Sequence, residues 1–241
     1  MSAADLASDT AMVMAAGMGK RMRPLTAAQP KPLVRVAGKP LIDHALDRLS
    51  AAGVGRAIVN VHYLADALEA HVLGRNNSPQ IVISDERDAL LETGGAMMKA
   101  KEHLPDPFFC LNADNIWLDG PRDAFRDLSR RWDPAKMDAL LLLVPHTRAA
   151  NFAGQGDFYM DAIGQVSRRI KGRIAPFIYT GIQLVSHRLL RDAPEGRFST
   201  NILWNRAIEE GRLFGTSFTG QWFEVGTPHA IAPTENALKR G

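Results

Sequence analysis

The row AMVMAA at 11–16 is apolar at every position and runs directly into a glycine loop. An unbroken apolar row has no solvent-facing side, so it belongs to a strand covered on both faces. Strands of this kind sit in a sheet sandwiched between helices. The rest of the first half keeps to that arrangement. Strands are predicted at 56–63, 80–86, 107–114 and 138–145. Between them lie amphipathic stretches at 40–53, 64–73, 93–104 and 121–132. The first of these puts apolar residues at 41, 42, 45, 46 and 49 on one helical face, with Pro40 at its start and Gly53 at its end. Strand and helix in alternation predict a largely parallel sheet with helices on both faces.

The second half changes character. Residues 156–170 alternate around a turn at 161–164 and read as a hairpin. A strand is predicted at 176–186, a helix at 200–211, two short strands within 212–228, and a terminal helix over 229–240 that Pro233 kinks. No linker rich in Gly, Ser or Pro divides the 241 residues, and no repeat is visible. The expectation is an α/β, Rossmann-like three-layer fold with a mostly parallel mixed sheet, plus a small β-hairpin or lid region. It forms one domain over 1–241: a flexible start at 1–10, a core at 11–145, and a lid-like part at 146–241. In such a fold a ligand crevice opens at the carboxyl ends of the strands.

Composition narrows the function. A net charge of +3 gives no sign of a nucleic-acid partner and suits a local basic site for a small phosphorylated ligand. The lone cysteine, Cys110, rules out an intrachain disulfide and reads as a buried core thiol. The start, MSAADLASDT, lacks the basic segment of a secretion signal. No apolar run is long enough to span a bilayer, so no membrane partner is expected and the cytoplasm is the expected location. The seven histidines form neither H-x-H nor H-E-x-x-H, which argues against zinc.

The loop AAGMGKRMRP carries the strongest chemical signal. It fails the dinucleotide fingerprint, because Met22 stands where a third glycine belongs, and it fails the Walker A pattern at Met14 and Arg21. What remains is a strand, then Gly17 and Gly19, whose backbone N–H groups are free to face phosphate oxygens. Arg21 offers a planar fork of donors, and Lys31 offers a point charge.

With Pro24, Pro30 and Pro32 in place, this stretch resembles the signature of the sugar-1-phosphate nucleotidylyltransferases. The resemblance continues through ETGGA (92–96), LNAD (111–114), GDF (156–158), YTGIQ (179–183) and WFEVGTP (222–228), covering nearly the whole chain in order. ETGGA and GDF look most similar to the branch that uses N-acetylmuramate 1-phosphate and UTP. A guanylyltransferase acting on mannose 1-phosphate or a heptose 1-phosphate is the alternative within the family. A nucleotide-sugar sensor without activity is the alternative outside it.

The resemblance implies transfer of a nucleoside monophosphate from a nucleoside triphosphate to a sugar 1-phosphate, with release of pyrophosphate. The nucleophile is already a phosphate oxygen, so no general base is required, and the sequence offers no Ser–His–Asp set. By resemblance, 11–145 binds the nucleotide and 146–241 the sugar. Arg21, Lys31 and Asp114 would be catalytic. Ala15, Ala16, Gly17, Met18, Gly19, Lys20 and Arg21, with Glu86, Arg87, Glu92 and Thr93, would bind the nucleotide. Asn151, Gly156, Lys171 and Gly181 would face the sugar phosphate. Asp114 and Glu224 would hold Mg2+, with Mn2+ as a substitute. Glu224 departs from the family's aspartate, and its extra methylene moves the carboxylate by about 1.5 Å.

Overall fold

The computed structural model describes residues 6–240. Strands β1 (Thr10–Met14), β4 (Arg56–Val61), β5 (Gln80–Asp85) and β6 (Phe108–Asn112) lie in the parallel order β6-β1-β4-β5. Between them run the two-residue strands β2 (Arg35–Val36) and β3 (Lys39–Pro40) and helices α1 (Leu41–Ala52), α2 (Ala65–Leu73) and α3 (Glu92–Ala100). The chain goes on through β7 (Asn115–Leu118), α4 (Ala124–Arg131), β8 (Ala139–Pro145), β9 (Ala149–Ala150), β10 (Phe158–Met160), β11 (Val166–Arg168) and β12 (Phe177–Val185). It closes with α5 (Thr200–Glu209), β13 (Leu213–Ser217), β14 (Gln221–Glu224) and α6 (Ile231–Leu238).

Alternation along each strand builds the two cores. Ala11 and Val13 of β1 join the apolar faces of α1, α2 and α4, while Met12 joins those of α3 and α5. Three layers result, as predicted. Strand β12 turns the sheet mixed: it runs antiparallel to both β6 and β8, and β13 then pairs parallel to β8. The predicted hairpin is present as β10 and β11, joined to the edge of β12.

Several details depart from the sequence reading. The short strands of 212–228 do not stay together: β13 joins the large sheet, whereas β14 pairs with β7 and β9 in a small three-stranded sheet. Strand β7 was not anticipated, because NIWL lies too close behind β6 to look like a separate strand. Of the stretch 1–10 expected to be flexible, residues 1–5 lie outside the described residues. Residues 6–10 are seated: Leu6 and Ala7 pack on the core, the Ala7 N–H donates to Ser129 Oγ (3.0 Å), and Thr10 already belongs to β1.

A third core sits where the glycine loop meets the small sheet. It joins Met22, Val34, Leu41, Ile116, Phe223 and Val225. Met22, the residue that broke the dinucleotide fingerprint, is fully buried there. Its side chain fastens the loop to the small sheet, which a glycine could not do. Among the described residues no helix is long and apolar enough to cross a membrane.

Candidate active site

The glycine loop leaves the carboxyl end of β1, and the two glycines have different tasks. Gly19 has φ +59°, and a Cβ there would stand 2.9 Å from Lys31 Cβ and 3.0 Å from Thr26 Cγ2. It lets the loop close tightly over Lys31. A Cβ on Gly17 would meet nothing within 4 Å, so its surroundings are open for a ligand. Thr26 pins the loop by donating to the Gly19 carbonyl (2.8 Å), and the Tyr63 hydroxyl donates to the Thr26 carbonyl (2.9 Å).

A cleft of about 380 Å³ opens at this end of the parallel strands. It is lined by Ala15, Ala16, Gly17, Gly19 and Lys31 from the loop, Glu92 and Thr93 from α3, Asn112 at the end of β6 and Asp114 just beyond it. Asn60, at the end of β4, also lines it and holds the loop in place. Its Oδ1 accepts from the Ala15 N–H (2.6 Å), and its Nδ2 donates to Glu86 Oε1 (2.8 Å). Glu86, 1% exposed, also accepts from the Leu91 N–H (3.2 Å) through Oε2. Glu86 therefore supports the cleft from behind.

The far wall is a strap over 191–199. The Phe198 carbonyl accepts from the N–H groups of Gly94 (3.0 Å) and Gly95 (3.2 Å), and Thr93 Oγ1 accepts from the Thr200 N–H (3.0 Å). A Cβ on Gly94 would stand 2.2 Å from the Phe198 ring, and one on Gly95 2.3 Å from the Gly196 carbonyl oxygen. The glycines of ETGGA thus admit the strap. Arg197 closes it from outside with an ion pair to Glu92 (2.6 Å).

A second cleft, about 160 Å³, adjoins the first and shares Asn112 and Asp114 with it. Asp157, Tyr179, Gly181, Trp222, Glu224 and Arg21 line it. Antiparallel pairing of β7 with β14 sets Asn115 directly opposite Glu224, so Asp114 and Glu224 come to one mouth. Each carboxylate has one cationic partner: Lys31 Nζ on Asp114, and Arg21 Nη1 on Glu224 at 3.5 Å. Gly226 makes room for the second pair, since a Cβ there would lie 3.2 Å from both partners. Gly181 sits in a bulge of β12 at φ +83°, against the side-chain amides of Asn112 and Asn115. The Nδ2 of Asn115 is buried without a hydrogen-bond partner.

Several expected residues stand elsewhere. Met18 and Lys20 are exposed and line neither cleft. Arg87 is held by Asp66, Glu69 and Asp85 (2.6–2.8 Å), and these partners draw its pKa above the usual guanidinium value. Asn151 donates to Thr234 Oγ1 (3.1 Å), tying β9 to α6. Gly156, at φ +76°, allows a backbone crossing in which a Cβ would lie 2.2 Å from the Ala175 carbonyl oxygen. Lys171 is exposed in the loop after β11. The neighbour of Gly156, Asp157, is the one that reaches the second cleft, and its Oδ2 accepts from the Tyr179 N–H (2.9 Å). Asn60, Asn112, Asp157 and Tyr179 were not foreseen. Asn112, Asp157 and Tyr179 lay inside quoted motifs, and Asn60 lies near the end of a strand next to the glycine-loop strand.

Cys110 is buried, and burial pushes its thiol up to about 12, which makes it a poor nucleophile. A larger crevice of about 910 Å³ lies against the small sheet and takes only Phe223 from the quoted motifs. Two of its arginines are already engaged: Arg48 with Asp119 (3.1 Å) and Arg148 with the Thr219 carbonyl (2.5 Å).

Residues 10–154 match the nucleotidyl transferase family. The N-acetylmuramate alpha-1-phosphate uridylyltransferase of Caulobacter vibrioides is 45% identical over 95% of this chain and 96% of its own. The protein of that name from Neisseria meningitidis serogroup B is 33% identical over 90% and 93%. Among solved structures, the inositol-1-phosphate CTP transferase of T. maritima superposes with a TM-score of 0.76 over 97% of this chain and 96% of that one, at 16% identity.

Proposed function

This chain belongs to the nucleotidyl transferase family, and we propose that it transfers UMP from UTP to N-acetylmuramate 1-phosphate, releasing pyrophosphate. It is a sugar-1-phosphate nucleotidylyltransferase, which sets the sensor reading aside. The uridylyl and N-acetylmuramate assignment is supported by the 45% identity over nearly full length to the Caulobacter enzyme. The reading makes it a cytoplasmic enzyme of cell-wall recycling.

The two joined clefts support an in-line displacement. The triphosphate lies along the glycine loop and the sugar phosphate in the smaller cleft. A phosphate oxygen of the sugar attacks the α-phosphorus, the bond from that phosphorus to the β-bridging oxygen breaks, and pyrophosphate leaves with the electron pair. Catalysis is then positioning and charge neutralisation. Arg21 neutralises charge gathering on the leaving group. Lys31, only 12% exposed at its side chain, keeps its ammonium fixed at Asp114 beside the reacting phosphates.

The donor set at the mouth fits Mg2+, with Mn2+ as a substitute. It offers two carboxylates, each about a third exposed, with no thiolate or imidazole among the lining residues. Among the described residues no cluster of three or more His, Cys, Asp or Glu forms a complete cage. Phosphates and water would complete the shell of a bound Mg2+. Asp114 and Glu224 would hold the ion, and it would offset the repulsion between the two phosphate substrates.

The single observation that carries this reading is the meeting of Lys31, Asp114, Arg21 and Glu224 at the seam of the two clefts. Pyrophosphate release across a grid of four nucleoside triphosphates and several sugar 1-phosphates tests it. UTP with N-acetylmuramate 1-phosphate should be the best pair, and no release from that pair by folded protein with Mg2+ would refute the assignment.

A further inference from the structure

A fourth cavity, about 230 Å³, opens between β12 and the start of α5. Asn112 lines it as well as both clefts, Tyr179 is shared with the smaller cleft, and Thr93 and Ser199 with the larger. It is a side chamber of the reaction crevice. Its inner wall is aromatic: the Tyr179 and Trp204 rings meet edge to face at 4.8 Å, and Trp204 Nε1 donates to Gln183 Oε1 (3.1 Å).

Two observations give the chamber a charge preference. The ten-residue helix α5 begins here, capped by Ser199, with no acidic residue in its first turn. Ser199 and Thr93 accept its first N–H groups as neutral caps, and no acidic side chain of its own offsets its positive end. Independently, Thr200 lines the chamber, is 3% exposed, and its hydroxyl has no hydrogen-bond partner. A buried hydroxyl without a partner carries an unrecovered desolvation cost.

In the neighbouring clefts the lining cations already have carboxylate partners, Lys31 with Asp114 and Arg21 with Glu224. Asp114, Asp157 and Glu224 line the sugar cleft, and Glu92 lines the nucleotide cleft. No Asp or Glu lines the chamber. A carboxylate carried by the sugar in addition to its phosphate meets no like charge in the chamber.

We propose that this chamber receives the carboxylate-bearing ether substituent of an acidic amino sugar, with Thr200 Oγ1 donating to the carboxylate at the N-terminus of α5. The inference rests on the reading of N-acetylmuramate 1-phosphate as the sugar substrate. It makes Thr200 a specificity-determining residue. The neutral acetamido group of the same sugar is the competing occupant.

The test compares kcat/KM for N-acetylmuramate 1-phosphate and N-acetylglucosamine 1-phosphate, both with UTP, by pyrophosphate release. Thr200→Val keeps the shape and removes the donor. It should lower kcat/KM about 10–100-fold for the acidic sugar and far less for the neutral one, as expected for losing a hydrogen bond to a charged group. Thr200→Ser should restore the preference. If Thr200→Val lost activity on both sugars equally, the chamber would be reading the acetamido group or nothing, and the inference would fall. A second arm needs no variant. Wild-type protein should lose about 10-fold or more when the lactyl carboxylate is replaced by its carboxamide, and an unchanged rate would overturn the inference. Wild-type protein inactive on N-acetylmuramate 1-phosphate itself would instead refute the substrate reading, a separate result.

Discussion

The two clefts are built in different ways. The nucleotide cleft is mostly backbone and loop, taken from the carboxyl ends of neighbouring parallel strands, with Asn60 and Glu86 bracing it from behind. The sugar cleft is mostly side chain. It gathers Arg21, Asp157, Tyr179 and Glu224 from four distant parts of the chain, and a two-residue overlap of β14 with β9 helps hold it. A cleft of backbone tolerates side-chain change but not a distorted loop. A cleft of side chains should show the reverse, with activity lost while stability is kept.

The largest expected effect falls where the clefts meet. Asp114→Asn should lower kcat by about 10³ or more, because an amide is a poor ligand for a hard cation and cannot balance Lys31. Glu224→Gln should act likewise, while Glu224→Asp should retain part of the rate with an altered Mg2+ or Mn2+ requirement. Metal titrations of pyrophosphate release check all three. A Glu224→Gln variant with wild-type metal dependence would remove Glu224 from the metal site.

Arg21 comes next. It reaches across from the loop to Glu224, and its side chain is 71% exposed. Arg21→Ala should lower kcat by about 10²–10³, the scale of one lost preorganised donor. A raised KM with level kcat would make it a binding residue only.

The glycines give the sharpest contrast. Gly19→Ala combines a left-handed backbone with a 2.9 Å approach to Lys31 Cβ. It should cost about 1–2 kcal/mol of stability, lowering Tm by about 2–8 °C in a chain of this size. Gly17→Ala meets open space and should leave Tm unchanged while raising KM for UTP. Thermal unfolding beside initial rates separates the two.

The smallest effect lies outside both clefts. Burial lowers the pKa of His44, outweighing its hydrogen bond to the Val36 carbonyl (3.0 Å). The folded state therefore favours the neutral ring. Stability is fully present above the unfolded value near 6.5 and is lost as pH falls through the lowered folded value. Denaturant titrations from pH 7 to 5 should show a shallower decline in His44→Gln than in wild type. Equal slopes would leave His44 without a part in acid sensitivity.

The same contrast explains how much could be read in advance. Strand, loop and helix of the parallel half announce themselves locally: AMVMAA by its unbroken apolarity, and α1 by its apolar spacing between Pro40 and Gly53. The glycine loop, Lys31 and Asp114 lie at strand ends, so the fold rule alone sends them to the crevice. The sugar side depends on pairings between remote segments. Asp157 reaches the cleft because Gly156 permits a tight crossing at Ala175; Gly181, which the resemblance did point to, reaches it because β12 bulges there. Neither crossing nor bulge has a local spelling. Arg87 misled for the opposite reason: it stands in the expected loop, but Asp66 and Glu69 of α2 claim it, and a helix neighbour cannot be read from the loop's own residues.

The ladder of β7 with β14 joins residues 115–118 to residues 221–224. During synthesis, every wall of the nucleotide cleft has left the ribosome's active centre once residue 199 is made, while Glu224 has yet to be translated. A chain that stops before residue 221 would carry the glycine loop and Asp114 without Glu224. Under the proposed metal site, the carboxylate pair is complete only after residue 224 has been translated.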